Sequence, residues 1–121
     1  MEFKSRHAIY LQIAGHIYEK ILHKEWLEGE KIASIRELAL EIAVNPNTVA
    51  RSYDYLEKQE IIHTKRGIGY FVSSEANKKI IDLKKTRFLQ EDVPLFFKTM
   101  QLLQIDFAEL SNKFHEIKNE K

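Results

Sequence analysis

The chain has no cysteine. Disulfides and thiolate metal sites are therefore excluded, and a reducing compartment suits the sequence. No long apolar run is present either. The longest uncharged stretch near the start, His7 to Tyr18, contains His and Gln and is too short for a bilayer span, which takes about 20 apolar residues. No targeting segment is visible, so a cytoplasmic protein without membrane contact is expected. An excess of one charge sign is also missing: 19 Lys and Arg stand against 18 Asp and Glu, for a formal net charge of +1. The balance holds locally, with ten basic and ten acidic residues in 1–74. A broadly basic surface is excluded, and any positive potential must be local. His-Glu-x-x-His is absent, and Gly67-Ile68-Gly69 lacks the strand-to-helix setting of a dinucleotide loop. His16 and His23 share a helix face but lie about 10 Å apart along its axis, too far for one ion. His7, His63 and His115 are scattered. No metal, no cofactor and no catalysis are expected.

What the chain has is two helix starts with almost no loop between them. Ser34 with Glu37 forms a capping-box pattern. Asn45 is a good N-cap, and Pro46 suits the first helical position because that N–H has no intrahelical partner. Leu38, Ala39, Ile42 and Val44 can face inward, and Ala43-Val44 leaves room only for a tight turn. Two short helices across such a turn make a helix-turn-helix, whose second helix enters a DNA major groove. Val49, Tyr53 and Leu56 put one face of that helix toward a core. Asn47, Thr48 and Arg51 then project away from it. Asn can pair with adenine, and Arg with guanine or a phosphate. Taken alone, the three are equally readable as ordinary solvated side chains.

A hairpin after the helices shifts that balance. Ile61–Thr64 and Tyr70–Val72 are strand-like, and the glycines of Lys65-Arg66-Gly67-Ile68-Gly69 permit the positive φ a tight loop needs. Lys65 and Arg66 place two cations at its tip. A basic hairpin following a helix-turn-helix is a winged helix, whose tip tracks phosphates or the minor groove. Upstream, Ile9, Ile13, Ile17 and Ile21 form the apolar stripe of a first helix. Trp26 and Leu27 are expected to cover its end, and Gly29–Ala33 to pair with the wing.

Residues from about 9 to 73 resemble the DNA-binding domain of the GntR family of bacterial transcription regulators. The resemblance covers Ile9-Tyr10-Leu11-Gln12-Ile13, Gly29-Glu30-Lys31-Ile32, Ser34–Ala39, Asn45–Val49, Leu56-Glu57 and Gly67–Val72, in the family's order and spacing. It implies DNA contact through Arg36, Asn47, Thr48, Arg51, Arg66 and Gly67. Asn45 at the recognition-helix cap and Lys65 at the wing tip complete the candidate set. Three positions depart from the family: Ala33 replaces a usual Pro, Ala43 a frequent Gly, and Glu60 a common Gly. The Ala33 change is expected to loosen the start of the second helix. Glu60 becomes costly if its φ is positive.

The remainder, 75–121, reads as a helical arm. Ser74 can cap a helix running from near Glu75 toward Gln90. Asp92-Val93-Pro94 reads as the cap and first turn of the next, with Phe96, Met100 and Leu103 on one face. Asp106 with Glu109 starts a third, whose Phe107, Leu110, Phe114 and Ile117 form a coiled-coil-like seam. Phe88, Leu95, Phe96 and Leu102 add apolar surface beyond what so short a segment can cover. The expected fold is thus mainly α with a small β-hairpin: a winged helix-turn-helix over 1–74, then a dimerisation arm over 75–121. The short arm resembles the YtrA-type branch of the family. That likeness implies a homodimeric repressor of double-stranded DNA, often at a transporter operon. A winged helix used for protein contact, and a small-molecule effector held between arm and first domain, are the competing readings.

Overall fold

The computed structural model describes residues 8–120; His7 and the start of the uncharged run fall outside them. The chain divides into two compact units, one ending at Asp82 and the other beginning at Leu83. The first unit therefore extends past Ser74.

Its elements are α1 (Ile9–Leu22), α2 (Ile35–Ile42), α3 (Pro46–Lys58), β1 (Ile62–Lys65), β2 (Gly69–Val72) and the opening turns of α4 (Ala76–Arg87). Spacings of three and four deliver Ile13, Ala14, Ile17 and Ile21 of α1 to one core, where Leu38, Ala39 and Ile42 of α2 meet them. Val49, Tyr53 and Leu56 of α3 are completely buried in it, as is Val72 of β2. Ile9, at the exposed start of α1, stays half open, and Leu27 is also exposed, so Trp26 alone of that pair packs on the core. The buried Tyr53 hydroxyl donates to the Ala33 carbonyl at 2.7 Å, and its ring meets Tyr70 edge-on. Burial holds its phenol well above the usual tyrosine range. That bond fixes the residue before the Ser34 cap, so the entry to α2 is held without a proline at position 33.

Both helix starts form as the sequence predicts. Ser34 Oγ accepts from the Glu37 N–H and Glu37 Oε1 from the Ser34 N–H. Asn45 Oδ1 accepts from the Asn47 N–H at 2.8 Å. β1 and β2 pair antiparallel, with His63 opposite Phe71 and Lys65 opposite Gly69. Gly29–Ile32 joins them through Gly29 N–H to Val72 O, Val72 N–H to Glu30 O and Ile32 N–H to Tyr70 O, although only a single bridge forms rather than a strand.

The start of α4 corrects the sequence reading. Glu75 takes a left-handed φ of 63°. Its N–H and that of Asn77 are received by the two carboxylate oxygens of Glu28, at 2.9 and 3.0 Å. The cap comes from a distant residue, not from Ser74, because the side chain that reaches these amides sits on the loop after α1. Ala76 and Ile80 of this helix are core residues.

The second unit contains the end of α4, a π-helical turn at Phe88–Asp92, α5 (Val93–Leu102) and α6 (Phe107–Asn119). Asp92 is helical and caps nothing, contrary to the expected new helix start. The Val93 N–H bonds back to Phe88 O, five residues earlier. Pro94 lacks the N–H of a regular ladder, and the wider turn carries the helix past it without a break. Asp106 does cap α6, through the Glu109 N–H. Among the described residues 83–120 only Met100 is buried.

Candidate nucleic-acid interface

The N-terminus of α3 is fully capped: Asn45 Oδ1 accepts from the Asn47 N–H, the Asn45 carbonyl oxygen accepts from the Thr48 and Val49 N–H groups, and Pro46 has no N–H. The positive end of the helix dipole, rather than a free amide, is what this exposed turn offers an anion. Asn47 is exposed and Thr48 half-buried in that turn. Asn45 directs its carboxamide oxygen into the cap, so only its NH2 remains for a partner. Arg36 sits exposed in the first turn of α2, the helix that packs on α3.

Arg51, one turn further along α3, lies over a ring of another helix. Its guanidinium carbon is 3.9 Å from the centroid of the Tyr10 ring on α1. On the wing, Lys65 lies over the Phe71 ring at 4.3 Å, and His63 stacks on the same residue. Arg66 and Gly67 are exposed at the tip, where Gly67 has a φ of 78° and Gly69 of 142°. Ile68 between them is 59% exposed.

The cations and carboxylates of this unit are used differently. Among the described residues, Arg36, Arg51, Lys65 and Arg66 have no carboxylate partner. Lys20, Lys58 and Lys79 each do. Several carboxylates are turned onto donors of the protein itself: Glu28 and Glu37 on helix-start amides, Glu30 on the Leu27 N–H, Glu57 on the Thr64 hydroxyl. Backbone donation from Asn77 and Glu75 holds the Glu28 carboxyl below the usual range, and donation from Ser34 does the same for Glu37. Arg36 on α2, Arg51 on α3 and Lys65 and Arg66 on the wing thus stay open to a partner, as do Lys24, Lys31 and Lys78 elsewhere in the unit.

Sequence reasoning gave no role to Tyr10 or Lys31. Tyr10 reads as one more aromatic near the start of a helix, and nothing in its spacing announces Arg51. Lys31 runs along Gly69: a Cβ at that glycine would come within 3.0 Å of the Lys31 Cε. Gly69 thus makes room for a third cation at the root of the wing. The place of Lys31 within the segment expected to pair with the wing was the available signal.

The arm residues singled out from sequence are open in the second unit. Leu102 is 81% and Phe107 67% exposed, and Phe88, Leu95, Leu103, Phe114 and Ile117 are each more than half exposed. Phe96 is slightly less so, and Leu110 is half-buried.

Comparison with known proteins agrees with this architecture. The family described as bacterial regulatory proteins, gntR family, matches residues 9–72. An uncharacterized HTH-type transcriptional regulator, YhcF of Bacillus subtilis, is 38% identical over 109 residues, covering 90% of this chain and 88% of its own. The HTH-type transcriptional repressor YtrA of the same organism is 38% identical over 88 residues, covering 73% and 68%. A transcriptional regulator of the GntR family from Bacteroides thetaiotaomicron superposes with a TM-score of 0.83 at 44% identity, over 94% of this chain and all of that one. YtrA from Sulfolobus acidocaldarius, a GntR-family transcription factor, superposes at 0.59 and 28%, over 99% and 96%. The winged helix, the family match over more than half the chain and these relatives, matched over most of the chain, lead to one assignment: the chain belongs to the gntR family of bacterial helix-turn-helix transcriptional regulators.

Proposed function

We propose that the protein is a cytoplasmic, homodimeric repressor that binds an inverted-repeat operator in double-stranded DNA. The observation that carries the DNA-binding part is the exposed first turn of α3 together with four exposed cations that have no carboxylate partner among the described residues, Arg36 on α2, Arg51 on α3 and Lys65 and Arg66 on the wing. Phosphate contacts from Arg36 and the wing would set register, and Asn47, Thr48 and Arg51 would read base edges. Asn45 would offer its NH2 beside them, and Gly67 would let the wing backbone approach closely.

Homodimerisation rests on the open apolar surface of α5 and α6. Isologous pairing is the commonest way to cover such a surface. It also supplies two recognition helices for half-sites about one DNA turn apart. Repression is supported by the name of the YtrA relative, a transcriptional repressor. The likeness to the YtrA-type branch adds a transporter operon as the target to look for first.

Selection of bound fragments from a random DNA pool at near-physiological salt tests this reading. Enrichment of an inverted repeat is the expected result. A folded protein that enriches no sequence would contradict it and favour a winged helix used for protein contact.

A further inference from the structure

Tyr10 is held from several sides by a single helix. The buried Ser52 hydroxyl donates to the Tyr10 carbonyl oxygen at 2.6 Å, which ties the start of α1 to α3. The Tyr55 ring meets the Tyr10 ring edge to face, with centroids 5.8 Å apart and planes at 80°. The Arg51 guanidinium lies over the Tyr10 ring at 3.9 Å. Ser52, Tyr55 and Arg51 all belong to α3, and Tyr10 to α1.

This arrangement has a directional consequence. A guanidinium held over a ring face by cation–π attraction keeps the N–H donors that point away from the ring free, and such donors make bidentate bonds to guanine or phosphate. The contact also removes rotamer freedom that an exposed arginine would otherwise lose on binding. No carboxylate among the described residues draws Arg51 elsewhere. We propose that Tyr10 is a positioning residue for DNA recognition: its ring holds the Arg51 guanidinium in the orientation that meets DNA, so base preference at the pair facing Arg51 depends on a residue of α1. The inference rests on the DNA-binding reading above.

The test uses the full chain and fluorescence anisotropy on the selected operator and its single-base variants. Tyr10→Leu weakens operator binding by about three- to tenfold and flattens preference at the same base pair that Arg51→Ala flattens. Tyr10→Phe, which keeps the ring, restores both. In an Arg51→Ala background Tyr10→Leu costs nothing further. Arg51→Lys, at an exposed position that leaves folding intact, keeps the charge but loses the planar guanidinium, and also flattens that preference. Losses that multiply in the double variant, equal weakening of every sequence by Tyr10→Leu, or wild-type preference in Arg51→Lys would each overturn the inference alone. A wild-type chain that selects no sequence would overturn the regulator reading and this inference with it.

Discussion

Arg51 and Arg66 differ in what their surroundings let them do. Arg51 is laid on the Tyr10 ring, whereas Arg66 stands free beside Gly67 at the wing tip. A fixed, planar donor set suits base readout, and a mobile cation suits phosphate neutralisation. Arg51→Ala is accordingly expected to lower operator affinity by about 1–3 kcal/mol and to relax preference at one base pair of each half-site. Titrations against single-base variants check it, and unchanged preference would remove Arg51 from base readout. Arg66→Ala and Lys65→Ala are expected to weaken all sequences evenly. Each lowers the slope of log affinity against log salt by about 1 for every phosphate that the side chain neutralises. A salt series on both variants gives that slope directly, and an unaltered slope would exclude phosphate binding by the wing.

At the scale of elements, the helices of this chain end in a shared way. Lys24, Ala43, Glu60 and Gln104 follow α1, α2, α3 and α5 with φ between 55° and 62°. In each case the next residue's N–H returns five residues, as in Glu25 to Lys20, Val44 to Ala39, Ile61 to Leu56 and Ile105 to Met100. These are Schellman ends without glycine. The starts of α2, α3 and α6 were legible because Ser34, Asn45 and Asp106 carry their own capping atoms. The ends after α1 and α5 carried no residue signal, whereas those at Ala43 and Glu60 were marked by the family's glycines, and both residues do take positive φ there, a cost borne by the packed helix pairs around them. Ala43→Gly and Glu60→Gly are each expected to raise unfolding stability by up to about 1 kcal/mol, the left-handed strain relieved less the entropy glycine loses; denaturant midpoints measure it, and a loss would contradict the strain argument. Glu28, the remote cap of α4, was illegible for a different reason: its partners Glu75 and Asn77 are brought to it only by the tertiary fold. Its carboxyl and that of Glu37 are held low in the folded state. The stability they contribute is therefore complete above the unfolded carboxylate range and disappears as pH falls through the folded values. Thermal melts of a Glu28→Gln, Glu37→Gln variant should be lower than wild type near neutrality and converge with it in acid. Parallel pH curves would refute the capping roles.

For the whole molecule, the neutral charge that argued against DNA binding in the sequence is resolved by placement. Glu28 and Glu37 face helix-start amides, while Arg36, Arg51, Lys65 and Arg66 on α2, α3 and the wing are exposed without a carboxylate partner among the described residues. The helix-turn-helix and wing were readable because cap residues, apolar spacing and loop glycines all agree there. The join between units was not, because Ala76 and Ile80 look like arm residues in sequence and pack in the first core. That moves the meaningful truncation point from Ser74 to Asp82. A chain ending at Asp82, or a full chain carrying Leu102→Glu and Phe114→Glu, is expected to sediment as a monomer and to bind the operator far more weakly. A dimer in both would refute pairing through the arm. The central claim, two recognition helices reading one operator, is tested most directly by comparing affinity for the selected inverted repeat with affinity for a scrambled duplex of equal length at about 0.15 M salt. The account predicts a preference of at least about a thousandfold, lost when either half-site is scrambled. Equal affinity for the two duplexes would contradict it.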